Sequence, residues 1–402
     1  MHSNKMLTIV LLVESGRAFG RGLLRGIARY ARTQGNWSII YHPWEWDDKT
    51  PRWLTQTHCD GVIARIDSIP LLRALQRLKV PVIDVRRKFR TPGIAMVGSE
   101  YGLIAQLAVD HLREKGFRYF AYCGYAGVDY SVRRRDDFVN CLNDHHYKAL
   151  IYEGGTPRTA ETWQRESEAM FHERELGAWL AKLPKPIGLM ACNDMRGRQV
   201  LNACKTRHIT VPDEVAVIGV DNDEVLCELA DPPLSSVIPA TDRIGYEAAT
   251  LLDGMMCGGQ APLQEVCIQP LGVAARRSTD VLAVEDRRVA MALRFIRDHT
   301  NEGLTVEDVL DHLCATTSMQ VSRSTLEHLF AQIRGHSPKA EIMRVRLERV
   351  KQLLVDTDCT LPEVAARAGI KHAEYLSALF KSKLGLTPGE FRQRMQRRQG
   401  FS

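Results

Sequence analysis

Between Ser322 and Arg392 the chain twice writes a short helix, a turn and a second amphipathic helix carrying basic residues. The second copy reads A-R-A-G-I-K-H-A-E-Y-L-S-A-L-F-K-S-K-L-G-L-T-P-G-E-F-R-Q-R. A helix presented after a tight turn suits insertion into the DNA major groove. From Arg323 onward 15 Lys and Arg stand against 8 Asp and Glu, so 80 residues carry +7 while the rest of the chain nets −1. That asymmetry suits a phosphate backbone; a solvated basic face is the alternative. Upstream, a different set of polar residues follows apolar runs. Asp221 follows V-A-V-I-G-V, Asn193 and Asp194 follow G-L-M-A-C, and Arg21 and Arg65 follow two runs nearer the start. Carboxylate acceptors and guanidinium donors together suit a neutral polyhydroxylated ligand. Helix capping by Asp194 and turn closure by Asp221 are the alternatives. Phe19, Trp44, Trp46 and Tyr130 are candidate stacking faces for a sugar ring, with core packing as the other role.

Chemistry of other kinds finds little support. Gly20, Gly22 and Gly26 in G-R-G-L-L-R-G approach the dinucleotide fingerprint but are spaced one residue too long, and no acidic ribose partner ends a strand about 20 residues later. These glycines read instead as permitting close helix–sheet packing. There is no phosphate-cradling P-loop, no zinc-protease motif and no nucleophile elbow, so neither an enzyme nor a cofactor is expected. The ten cysteines form no C-x-x-C pair; they read as small buried hydrophobes in a reducing, cytoplasmic compartment, with no metal site. No apolar run reaches 18 residues, and the N-terminal one is too short for a secretory signal, so no membrane partner is expected.

The elements that position these residues alternate. Apolar runs predict strands over 7–13, 38–41, 61–64, 80–84, 94–97, 119–123, 187–191, 215–220 and 234–237. Helical patterns fall near 20–33, 69–78, 101–115, 132–143, 174–183, 194–205 and 244–256. Continuous apolar strands joined by helices imply parallel sheets. So many units predict two lobes, with ligand in the cleft beyond the strands' carboxyl ends. An all-α part follows, opening with a helix over 287–299 whose apolar spacing is Val289, Leu293 and Ile296.

Four ordered stretches carry a resemblance: S-V-R-R-R-D-D-F, G-L-M-A-C-N-D-M-R-G-R-Q-V-L, V-P-D-E-V-A-V-I-G-V-D-N-D and D-P-P-L-S-S-V. They resemble the effector-binding core of LacI/GalR-type repressors, itself similar to periplasmic sugar-binding proteins, over residues 6–278. In S-x-x-R-x-x-x-F, Ser131, Arg134 and Phe138 match. The resemblance implies that Arg134 reaches ligand hydroxyls, with Asp221, Asp194 and Asn193 in the same cleft and Arg21 and Arg65 completing it. Asp137 stands where the family usually has glycine. Family members carry a DNA-binding headpiece before this core; here the first strand begins at Leu7, which fits a reader at the other end.

After a linker over 279–286, residues 287–398 resemble the AraC/XylS-type DNA-binding domain, with helix-turn-helix units over about 304–335 and 361–385. In the second unit Tyr375, Leu379 and Phe380 are expected to form the apolar face of the reading helix. His372, Ala373, Glu374, Tyr375, Ser377 and Lys381 fall among the expected DNA contacts, as do Ser322, Arg323 and Ser324 in the first unit. Between Leu313 and Val321 the chain reads C-A-T-T-S-M-Q, a turn about six residues longer than usual, which bears on how the first reading helix is aimed. The combination resembles xylose-operon regulators. It implies a homodimer on two operator half-sites, an effector such as D-xylose, and activation through RNA polymerase. A repressor with the same features, and a sugar-processing enzyme with a helical interaction module, are the alternatives.

Overall fold

The computed structural model describes residues 6–34, 36–42, 52–154, 173–280, 286–299, 303–317, 321–357, 359–370 and 372–399. The candidate stacking residues Trp44 and Trp46 lie outside them. The chain divides into two compact units, residues 1–283 and 284–402.

The first unit holds two sheets. In the first, β1 (Leu7–Leu12) is flanked by β2 (Trp37–His42) and β3 (Gly61–Ala64), and β4 (Val82–Asp84), β5 (Ile94–Ser99) and β11 (Val266–Ile268) follow in order, all parallel. In the second, β6 (Tyr119–Cys123) lies between β7 (Ala149–Tyr152) and β8 (Ile187–Ala191). The order continues through β9 (Val215–Val220), β10 (Ser235–Ile238) and β12 (Gly272–Ala274), and only β12 runs antiparallel. Strands such as β9 are buried at every position, which is why they read as unbroken apolar runs. β7, β11 and β12 were not anticipated. β7 is an edge strand with Leu150 and Ile151 exposed, and the other two have three residues each, too few for a period to show.

The chain passes between lobes three times. After β5, helix α3 (Tyr101–Glu114) joins the second lobe's core through Ile104, Ala108 and Leu112. After β10, helix α8 (Thr241–Met256) returns to the first, where Ile244, Ala248 and Leu252 pack with Ile9, Leu23 and Ile27. After β11 the chain crosses back to β12. Three strands of chain at one boundary make a hinge, and both sheets direct their carboxyl ends toward it.

The glycine run corrects one expectation. Its main use is helix–helix packing of α1 (Ala18–Thr33) on α8, not helix–sheet packing. A Cβ on Gly22 would stand 1.9 Å from Thr241 Oγ1, one on Gly26 1.9 Å from the Asp242 carbonyl oxygen, and one on Gly245 2.1 Å from the Leu23 carbonyl oxygen. Gly20 alone faces a strand end, at the Glu14 carbonyl. Backbone cannot swing aside as a side chain can, so Gly26→Val is expected to destabilise the first unit by about 3 kcal/mol. Thermal melting checks this, and an unchanged midpoint would refute the close crossing.

The second unit is all helix: α9 (Arg287–His299), α10 (Val306–Thr317), α11 (Arg323–Arg334), α12 (Pro338–Asp356), α13 (Leu361–Arg367), α14 (Ala373–Leu384) and α15 (Pro388–Gln399). Val289, Leu293 and Ile296 are buried with Val309, Leu313, Leu326 and Phe330 in one small core. Val350, Leu354, Val364, Leu376 and Phe380 form a second. The long α12 contributes to both, with Ile342 at one end and Leu354 at the other. Helix ends carry their own signals. Ser322 and Ser337 cap α11 and α12, and Thr360 with Glu363 forms a capping box on α13. Gly335 and Gly385 close α11 and α14 at φ +73° and +74°, a region open to glycine at little cost. The long-turn expectation needs revision: Cys314 to Thr317 continue α10 for a further turn of helix, and residues 318–320 lie outside the described set.

Candidate functional site

The boundary between the lobes collects the polar side chains. Arg134 stands on α4 (Asp129–Asp144) and is 3% exposed. Its Nη2 donates to Asp221 Oδ1 at 3.0 Å, its Nη1 to the Cys192 carbonyl oxygen, and its guanidinium lies over the rings of Tyr101 at 5.4 Å and Tyr130 at 5.3 Å. Burial drives the arginine's pKa down, but Asp221 and the aromatic ring oxygens raise it above its ordinary value. Asp221 sits just past β9 with φ +106°, followed by Asn222 at φ +47°. Non-glycine residues rarely adopt that region, and it concentrates where function holds the backbone. Burial pushes the Asp221 carboxyl up, against the pull of Arg134, Arg65 and Arg17. Arg65, at the end of β3 in the first lobe, therefore acts on Asp221 in the second across a shared cleft.

Arg65 pairs with Glu14 at the end of β1 and lies over the Phe19 ring at 5.2 Å. Arg21 sits nearer the rim: it donates to the Ser15 and Gly16 carbonyl oxygens and lies 3.6 Å from Asp223. The lobes also meet directly. Asp223 accepts from the Ala18 backbone N–H at 3.1 Å, and Arg86, just past β4, makes a bidentate pair with Asp129 at 3.0 and 2.7 Å. Such a fork fixes orientation as well as charge.

Other expected site residues stand behind this surface. Asn193 Oδ1 caps α6 (Asp194–Thr206) by accepting from the Arg196 N–H at 2.8 Å, while its Nδ2 donates to the Tyr130 hydroxyl at 2.9 Å. Asp194 accepts from Ser236 Oγ at 2.6 Å and from the Asp223 N–H at 2.7 Å. Burial first, then the charge of Asp221, pushes its carboxyl up to about 8. Ser131 Oγ accepts from the Tyr125 N–H at 2.9 Å. The structure thus brings Arg134, Asp221, Arg65, Phe19 and Tyr130 around the cleft. Asn193, Asp194 and Ser131 hold the loops that carry them.

Arg86, Tyr101, Glu14 and Asp129 were missed in the sequence. For Arg86 a signal existed: V-I-D-V-R-R places a basic pair directly after a strand, as at Arg65. Asp84 builds that turn, accepting from the Ile66, Arg86 and Arg87 N–H groups at 3.1, 2.8 and 3.0 Å. Burial pushes it up to about 6, against those three bonds.

In the second unit, α11 and α14 each follow a short helix and a turn. Ser322 accepts from the Thr325 N–H at 3.2 Å, Ser324 is exposed, and Arg323 pairs with Glu307 and with Glu327 at 3.1 Å. On α14, His372 occupies the capping position without a side-chain cap, Glu374 and Lys381 are exposed, and Ser377 donates to the Ala373 carbonyl oxygen at 3.0 Å. The apolar face differs from expectation. Leu376 and Phe380 are buried and Leu379 is half-buried, whereas Tyr375 is 53% exposed. Tyr375 therefore belongs with the outward residues. The basic residues of α12 are largely engaged within the unit. Glu341, 1% exposed, is ringed by Arg334, Arg344 and His336; burial pushes it up, but these cations hold it below its ordinary value. Arg346 donates to the Leu304 carbonyl oxygen at 2.9 Å, and Arg392 ties α15 to the carbonyls of Leu354 and Cys359.

Comparison with known proteins accords with both halves. A periplasmic binding protein-like domain matches residues 109–279, and a helix-turn-helix domain matches residues 315–394. The xylose operon regulatory protein of Escherichia coli (strain K12) is 31% identical over 397 residues, 96% of each chain. The solved structure of a xylose-binding transcription activator, xylR, superposes with a TM-score of 0.77 at 30% identity, covering 97% of this chain and 98% of that one. A LacI family transcriptional regulator from Enterococcus faecium, with bound ribose, matches 69% of the chain at 20% identity and a TM-score of 0.55, which speaks to fold alone. A two-lobed binding unit followed by two helix-turn-helix units, along a relative matched nearly end to end, places this chain in the xylose operon regulatory protein family of DNA-binding transcription regulators.

Proposed function

We propose that this protein regulates transcription in response to a small polyhydroxylated sugar held between the lobes of residues 6–278. A linker over 279–286 then leads to the DNA reader over 287–398, with reading units at about 304–335 and 361–385. The observation that carries the reading is the Arg134–Asp221 pair, one donor and one acceptor facing the cleft at the strands' carboxyl ends. Hydroxyls can accept from the first and donate to the second. The names of the relatives make a pentose, D-xylose foremost, the reference compound.

The proposed protein is a cytoplasmic homodimer on two half-sites that contacts RNA polymerase and activates transcription, without catalysis of its own. No helix among the described residues is long and apolar enough to cross a membrane. Ligand that favours one lobe arrangement shifts the population between them, and only by its difference in affinity for the two. Ser322, Arg323, Ser324, His372, Ala373, Glu374, Tyr375, Ser377 and Lys381 are the proposed DNA contacts. Glu374 is suited to accept from a cytosine amine.

The test combines a thermal-shift titration against pentoses, hexoses and polyols with DNA binding by fluorescence anisotropy. Selective, saturable stabilisation is expected, because ligand binds only the folded state. Asp221→Ala should abolish that stabilisation while leaving DNA binding without sugar within about twofold of wild type. Unchanged sugar affinity in that variant would remove Asp221 from the pocket. A promoter assay separates activation from repression.

A further inference from the structure

The cleft holds more guanidinium than a neutral sugar requires. Arg65 ends β3, Arg86 follows β4 and Arg134 stands on α4, with side chains 11%, 2% and 3% exposed. Arg86 and Arg134 lie over the same Tyr130 ring, each 5.3 Å from its centroid. Arg65 is lowered to about 10, by burial and then by the charge of Arg86. These two cations are thus neighbours whose repulsion the surroundings do not fully cancel.

Carboxylates share the space. Glu14 pairs with Arg65, Asp129 with Arg86 and Asp221 with Arg134, and Asp67 acts on both Arg65 and Arg86. Their protonation tips the balance. Burial pushes Asp221 up and Asp194 beside it up to about 8, whereas a guanidinium keeps its proton throughout. The Arg134 guanidinium also has a donor to offer. Its Nη atoms are engaged by Cys192 and Asp221, but its Nε is buried with no hydrogen-bond partner.

A neutral ligand closing over this cluster would desolvate the cations without balancing them, which is costly. An oxyanion accepts from planar guanidinium forks at the matching spacing. Taking the cleft as the effector site, as above, we infer that the effector is an acidic sugar derivative, a polyhydroxylated molecule carrying a carboxylate or a phosphate. Arg65 and Arg86 of the first lobe hold the oxyanion, and Arg134 and Asp221 of the second hold hydroxyls. Because each lobe binds a different end of the molecule, the charged group contributes directly to lobe closure.

Isothermal titration of the full-length wild-type protein tests this with four probes in parallel: D-xylose, its aldonate, a hexuronate and a pentose phosphate. At least one acid is expected to bind about tenfold or more tighter than D-xylose, a difference of about 1.4 kcal/mol, and to weaken as salt is raised. Success with the aldonate or hexuronate assigns a carboxylate, and success with the phosphate ester assigns a phosphoryl group. Arg86→Gln should lower acid affinity about tenfold. The wild-type panel decides the matter even if that variant folds poorly. D-xylose binding as tightly as every acid overturns the anionic effector and leaves the cleft reading intact. No binding by any of the four overturns both.

Discussion

Arg134→Ala is expected to lose effector binding by about 100-fold or more and to lower the stability of the first unit by about 3 kcal/mol. Both effects have one origin. Arg134 is the buried partner of Asp221 at 3.0 Å, and it also bonds the Cys192 carbonyl oxygen at the end of the second lobe's central strand. Removing it leaves a buried carboxylate without its principal counter-charge and strips two aromatic rings, Tyr101 and Tyr130, of the cation stacked on them. Removing one member of a buried pair costs far more than the pair itself contributes. Arg134→Lys keeps the charge but loses the fork, so an intermediate loss of binding is expected. Titration calorimetry reads the affinity and thermal melting the stability. A variant that binds as tightly as wild type would mean that the effector does not touch this residue.

Phe380→Ala is expected to destabilise the second reading unit by about 3–5 kcal/mol and to abolish DNA binding with it. Phe380 is 0% exposed and packs edge-on against Phe391 at 5.4 Å, among Val350, Leu354, Val364 and Leu376. This core is small, so one lost aromatic is a large share of it. Tyr375 sits on the same helix but is 53% exposed. Tyr375→Ala should therefore change stability by no more than about 0.5 kcal/mol, with any loss confined to DNA affinity. Thermal melting together with fluorescence anisotropy on operator DNA separates the two variants. Equal destabilisation by both would show that the buried face of α14 has been misplaced.

Much of the architecture was legible because burial on both faces writes a strand as an unbroken apolar run. β1, β3, β8 and β9 could be read that way, and capping residues marked helices such as α11, α13 and α15. Short or half-covered elements were not legible. β11 and β12 have three residues each, and β7 exposes the apolar residues a core strand would hide. The face of α14 was displaced by one residue because an aromatic at Tyr375 and an aliphatic at Leu376 look equally suited to a core, and only packing against α12 and α13 chooses between them.

By itself, then, the order of residues determined two sheets of crossover-linked strands, a helical reader after them, and a set of charged groups at strand ends, since each follows from local periodicity and chemistry. Only the tertiary structure decided which of those charges meet. Glu14, Arg65 and Arg86 of the first lobe, and Asp129, Arg134 and Asp221 of the second, are far apart along the chain and come together because three crossings place both sheets' carboxyl ends at one boundary. Pairing across that boundary depends on distance in space, which no local pattern records.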